Sequence, residues 1–372
     1  MRRAKRAEEQ KKNKVRYEVD IQLKNPCGVE MVEYLPYYNS GPRRDTVMFE
    51  KRRILIEADR KHRFTEDDVF MNLQHSLYNQ LVKVLLIHYC QAGRKAGIRS
   101  VSVSERKAQG LVPLFSRNFT DANQPFCAFD APIPFDVEAL KGVLDETDDA
   151  YRLRIVLLHW LGQGKYTDRQ RRMEIVWRTF ERMCEYHQHA PMGSRFKVAD
   201  GLDALLNVVL TNAASYPHSA ATVAGETVDT LRQLRWQEMI ENNFPKTNGN
   251  NLIRNYRGYY STLITPFFDE RAVQLMTDIL PYRRSELQRY GLYNNAVTDL
   301  QAKLALHQRR DIDLVALLCH YIYFLRNRLF HGQMLLRVSV FDVLNADNMR
   351  LDFLTGMLAT LSVELVNNRS AL

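Results

Sequence analysis

Strand-like alternation in the hydrophobic pattern of this chain is confined to its first third, and that division constrains the fold more than any other feature. From Val15 to Lys24 the residues alternate without a break, with Val15, Tyr17, Val19, Ile21 and Leu23 on one face and Arg16, Glu18, Asp20, Gln22 and Lys24 on the other. A period of two is the pattern of a half-buried strand. GVEMVEYLPYY follows the Asn25-Pro26 turn signal and TVMFEKRRILIEA follows Ser40-Gly41-Pro42. Both are rich in β-formers and bounded by turn residues, which predicts a small, mostly antiparallel sheet. Thr65, followed by Glu66, Asp67 and Asp68, opens an amphipathic run through Phe70, Leu73, Leu77, Leu81 and Leu85, the pattern of one capped helix, and Ile98 to Ser104 alternates again. From about Asp136 onward the apolar residues fall at helical spacing, as in VEALKGVLDE, RRMEIVWRTFERMCEYH, GLDALLNVVLTNA and TVDTLRQLRWQEMIENNF. The expected fold is therefore α+β: a basic arm over 1–14, an α+β domain over 15–135 and a predominantly helical domain over 136–372.

The 372 residues suffice for more than one core, and 45% apolar with 26% charged residues is ordinary globular composition. The net charge of +9 is partly a tail, because the first fourteen residues hold seven Lys or Arg against two Glu. Such a balance favours phosphate-rich partners through counterion release, although a solvated tail accounts for it equally well. The five cysteines are scattered without a CxxC pair, as expected of reduced thiols in a cytoplasmic protein. The apolar runs Leu81 to Cys90 and Ala316 to Leu325 are too short to span a bilayer, so no membrane partner is expected. Cys184, His187 and His189 lack a fourth ligand and fall on different helix faces, so they predict no metal site. Gly162 to Thr167 departs from the phosphate-loop pattern at His159 and Tyr166 and reads as a turn. No cofactor is expected.

Chemistry concentrates near the C-terminus. The segment DIDLVALLCHYIYFLRNRLFHG is apolar on almost every side between Leu314 and Leu325, as in a helix packed inside a bundle or across a dimer interface. Asp311 and Asp313 supply its N-terminal charge, Gly332 suits its end, and Arg326, Asn327, Arg328 and His331 gather within about a turn and a half. Arg326, four intervening residues and His331, with Asn327 directly after the arginine and Gly332 after the histidine, resemble the active-site segment of the HEPN ribonucleases. The spacing also occurs at Arg154 to His159 and Arg182 to His187, so the surrounding residues carry the resemblance. Upstream, Trp160 or Trp177 together with Glu181 resemble elements of the first helices of larger HEPN domains.

The resemblance implies a metal-independent endoribonuclease that needs the RNA 2′-hydroxyl. In that role His331 is general acid or base, Arg326 stabilises the charged transition state and Asn327 orients the substrate. Arg328, Arg254 and Arg257 are the expected substrate-binding residues. Five steps on an ideal helix leave Arg326 and His331 about 140° apart, so both reach one phosphate only if the helix ends before His331 or if two subunits contribute. A homodimer through the helix containing Leu314 to Phe330 is the expectation, with RNA as substrate and an antitoxin or sensor protein as a further partner. The setting implied is that of a toxin or antiviral effector. Gln333 stands where some HEPN toxins carry a modifiable Tyr, which argues against that form of control. Two alternatives stay open: a catalytically inactive HEPN-like module that binds RNA, nucleotide or a protein partner, and a structural end in which Arg326 pairs with an acidic residue such as Glu181 or Glu185.

Overall fold

The computed structural model describes residues 15–24, 30–36, 44–72, 75–92, 97–120, 132–144, 169–187, 198–244, 257–330 and 346–368. The chain divides into two compact units, 1–167 and 168–372.

In the first unit, β1 (Val15–Leu23), β2 (Met31–Pro36), β3 (Arg44–Glu50), β4 (Arg53–Arg60), β5 (Ile98–Lys107) and β6 (Gly110–Asn118) form one antiparallel sheet in the order β2-β3-β4-β1-β5-β6. Central β1 keeps its predicted alternation: Tyr17, Val19, Ile21 and Leu23 are at most 4% exposed. On its other face Glu18 stands directly opposite Glu57 of β4, a like-charge pair that Arg106 offsets by donating to both, at 2.7 and 3.0 Å. The run TVMFEKRRILIEA folds back at Lys51-Arg52 to supply both β3 and β4. β6 was not predicted, because Pro113 interrupts its pattern. It is an edge strand, where a missing backbone donor is tolerated, and Pro113 falls beside a shift in the β5–β6 register.

The single helix expected from Thr65 is two helices, α1 (Glu66–Phe70) and α2 (Ser76–Ala92). Thr65 does cap α1 reciprocally with Asp68. Local side-chain bonds mark the separation. Asn72 Nδ2 donates to Asp68 at 3.2 Å, and His75 Nδ1 accepts the Leu77 amide at 3.3 Å, giving α2 its own N-terminal cap. Helix α3 (Val137–Leu144), expected to open the helical domain, packs against α2 instead. The division between compact units accordingly falls at Thr167/Asp168 and not at 135/136.

The second unit contains α4 (Arg169–His187), α5 (Val198–Thr211), α6 (Pro217–Val223), α7 (Val228–Arg232) and α8 (Trp236–Asn243). A π-helical turn at Tyr260–Ile264 leads into α9 (Glu270–Ile279), α10 (Arg284–Arg289), α11 (Tyr293–Leu304), α12 (Asp311–Phe330) and α13 (Ala346–Asn367). From Leu314 to Leu325 every residue of α12 but Tyr323 is buried within the single chain. Burying each large apolar side chain contributes about 1.5–3 kcal/mol. The chain's own helices thus cover the apolar length of α12.

Both ends of α12's neighbour α6 are satisfied by charged side chains distant in sequence. Glu364 of α13 accepts the His218 and Ser219 amides at 2.8 Å each and the Ser219 hydroxyl, while Arg271 donates to the Val223 and Glu226 carbonyls at 3.1 and 3.0 Å. An anion at the helix start and a cation at its end also suit the peptide dipole. Asp311 and Asp313 stand in the first turn of α12 as predicted, but the Asp313 carboxylate turns away to accept the Phe268 and Asp269 amides at 2.6 and 3.1 Å. Those bonds tie the start of α12 to the start of α9.

Candidate functional site at the end of α12

The sequence brings a continuous apolar helix to an abrupt polar end, and the structure shows what each polar group meets. Residues two apart on a helix diverge by about 200°, so Arg326 and Arg328 address different neighbours. Arg326 faces α4: its Nη2 lies 3.4 and 3.5 Å from the two Glu181 oxygens, and its Nη1 donates to Asn327 Oδ1 at 3.0 Å. Glu181 also accepts the Trp177 indole N–H at 3.1 Å, and the Trp177 ring lies 5.8 Å from that of Tyr323 on α12. Trp177 is fully buried, whereas the side chains of Arg326 and Glu181 keep 24% and 17% of their exposure. Arg328 faces α8, where it donates to Glu238, and its guanidinium stands 5.8 Å from the Phe324 ring centre.

The two arginines are held differently. A close charge-assisted bond spans about 2.7–2.9 Å. Arg328 is in close contact with Glu238, whereas the Arg326–Glu181 contacts lie at 3.4 and 3.5 Å. Arg326 is therefore a partly exposed guanidinium within reach of the Glu181 carboxylate and placed one residue from an amide side chain that accepts from one edge of its fork.

The structural pairing named from the sequence, Arg326 with Glu181, is what the fold contains. Glu238 was not anticipated; it lies 90 residues from Arg328, and nothing in the local pattern of RWQEMIE marks it as a partner. His331 lies outside the described residues, as does Arg254, so neither can be placed relative to Arg326. Arg257 is exposed on a separate element ahead of the Tyr260–Ile264 turn, and none of the described hydrogen bonds or ion pairs joins it to Arg326 or Arg328. Nearby Tyr259 is buried edge-on against Phe244 at 5.6 Å and cannot offer its ring to a base.

Two buried groups flank the site without belonging to it. Burial pushes the Cys184 and Cys319 thiols up, so both stay protonated, and Cys184 is a core residue. His189 and residues 162–167 lie outside the described residues. Among the described residues no group of three or more His, Cys, Asp or Glu is arranged to hold a metal ion, and no helix is long and apolar enough to cross a membrane. His320, six residues before Arg326, is buried, and its pKa is pushed down to about 4 by that burial. Its Nδ1 is 3.9 Å from Asp203, a contact that is not an ion pair at neutral pH.

No family model, curated protein or solved structure matches this chain.

Proposed function

We propose that the second unit carries a HEPN-type, metal-independent endoribonuclease site, and that the protein acts on RNA as a toxin or antiviral-defence effector. The observation that carries this reading is the partly exposed Arg326, set with Asn327 and Arg328 at the end of an otherwise buried helix and followed in sequence by Leu329-Phe330-His331-Gly332. In this reading a base removes the proton of the 2′-hydroxyl, the 2′-oxygen attacks the adjacent phosphorus, and the 5′-oxygen leaves with a proton from an acid. The products are a 2′,3′-cyclic phosphate and a 5′-hydroxyl. His331 serves the proton transfers and Arg326 exchanges Glu181 for the phosphorane-like oxygens. Asn327 orients the phosphate, and a homodimer brings a second motif to the same RNA.

A second reading is favoured by one observation: both motif arginines already have carboxylate partners, as in a helix end that serves stability alone. On that reading the unit is a catalytically inactive module that docks RNA, nucleotide or a protein partner.

Cleavage of total cellular RNA in excess EDTA separates the two. The ribonuclease reading expects cutting by native protein with cyclic-phosphate ends, and a loss of roughly 100-fold or more in Arg326→Ala and in His331→Ala, the scale of losing one catalytic proton-transfer or charge-stabilising group. Equal cutting by all three proteins removes the assignment. RNA binding without cutting, with folding of each variant verified by circular dichroism, selects the module.

A further inference from the structure

A cleft of about 630 Å³ opens on the α8 side of the second unit, away from Arg326 itself. Its lining is mostly charged, with Arg232, Arg235, Glu238, Glu241 and Asp278 over the buried side chains of Trp236, Leu275 and Ile279, and it includes Tyr282, which is 50% exposed. The wall is tied to the motif helix at three points. Glu238 lines the cleft and accepts from Arg328, the Arg235 amide donates to Tyr321 Oη at 3.0 Å, and the Trp236 ring lies 5.0 Å from that of Tyr321. A ligand seated here is therefore one hydrogen bond away from Arg328.

The lining indicates a class of ligand. An exposed aromatic ring among charged hydrogen-bonding side chains suits a flat polar heterocycle, and the volume falls within the range of small-molecule sites. Glu241 on the cleft wall accepts one bond from Gln237 at 3.3 Å and retains acceptor capacity on its carboxylate. Paired parallel N–H donors complement such a carboxylate, and among the four RNA bases only guanine carries two adjacent donors, N1–H and N2–H, on its Watson–Crick edge.

We propose that this cleft is a base-recognition subsite that seats an unpaired guanine of the RNA, stacked on Tyr282 and read by Glu241. Its role in cleavage rests on the ribonuclease reading above, whereas its binding chemistry does not.

The test is calorimetric titration of the full chain with guanosine, adenosine, cytidine and uridine monophosphates, repeated with Tyr282→Ala and Glu241→Gln. The expected result is a preference for the guanosine nucleotide of roughly tenfold or more, the scale of one bidentate base contact, reduced by a similar factor in each variant. Both positions are at the surface, and unchanged circular dichroism verifies the fold. Equal affinity for all four nucleotides, absence of binding at millimolar guanosine monophosphate, or unaltered affinity in both variants overturns the subsite. Mapping the cut ends then separates the two proposals. Cutting by native protein with no change of sequence preference in either variant overturns the subsite alone, whereas selective guanosine binding without any RNA cutting supports the subsite and removes the ribonuclease reading.

Discussion

His88 and His320 are held neutral by their surroundings: burial pushes the pKa of each from 6.5 down to about 4. For a base with a depressed folded-state pKa, the unfolded chain binds the proton first. The stabilising contribution is therefore complete above pH about 6.5 and is lost as pH falls toward about 4. Each shift corresponds to an effect on the order of 3 kcal/mol. We expect urea midpoints to fall between pH 6.5 and 4, with both imidazoles neutral by NMR until near the lower value; titration of both near 6.5 would contradict the burial argument. At the same scale, Arg326, Asn327 and Arg328 were legible as a group, because polar residues that follow so long an apolar run stand out. Their partners were less so. Glu181 was recognisable as an acidic residue on a neighbouring helix 145 positions away, whereas Glu238 was visible only once α8 and α12 had packed.

Among the elements, α6 depends on residues outside itself. Its N-cap residue Tyr216 makes no side-chain cap bond, and Glu364 takes the first amides from across the unit. Glu364→Ala would leave those donors buried without an acceptor, with an expected loss of about 2–4 kcal/mol in urea unfolding. A loss under about 1 kcal/mol would show that water replaces the carboxylate. The same dependence on context explains the misread elements. β6 contains Pro113, which only its place at the sheet edge makes tolerable, and α1 and α2 separate, with local bonds of Asn72 and His75 marking the break, although the apolar spacing continues.

For the whole molecule, the two compact units imply that residues 168–372 hold a core of their own. Expressed alone, that segment is expected to show helical circular dichroism and one cooperative thermal transition; a noncooperative melt would mean that its core needs residues before Asp168. What the sequence by itself determined was the α+β class, the central strand at Val15–Leu23, the capped start at Thr65, and the buried helix with its polar end at Arg326. All of these follow from periodicity and capping, which are properties of residues near one another in the chain. Only the tertiary structure decided that α3 lies with the first unit, that α12 spends its apolar length inside one chain, and that Arg326 and Arg328 face Glu181 and Glu238. Those outcomes depend on how helices cross, and a local hydrophobic pattern states which face of a helix is buried without stating against what.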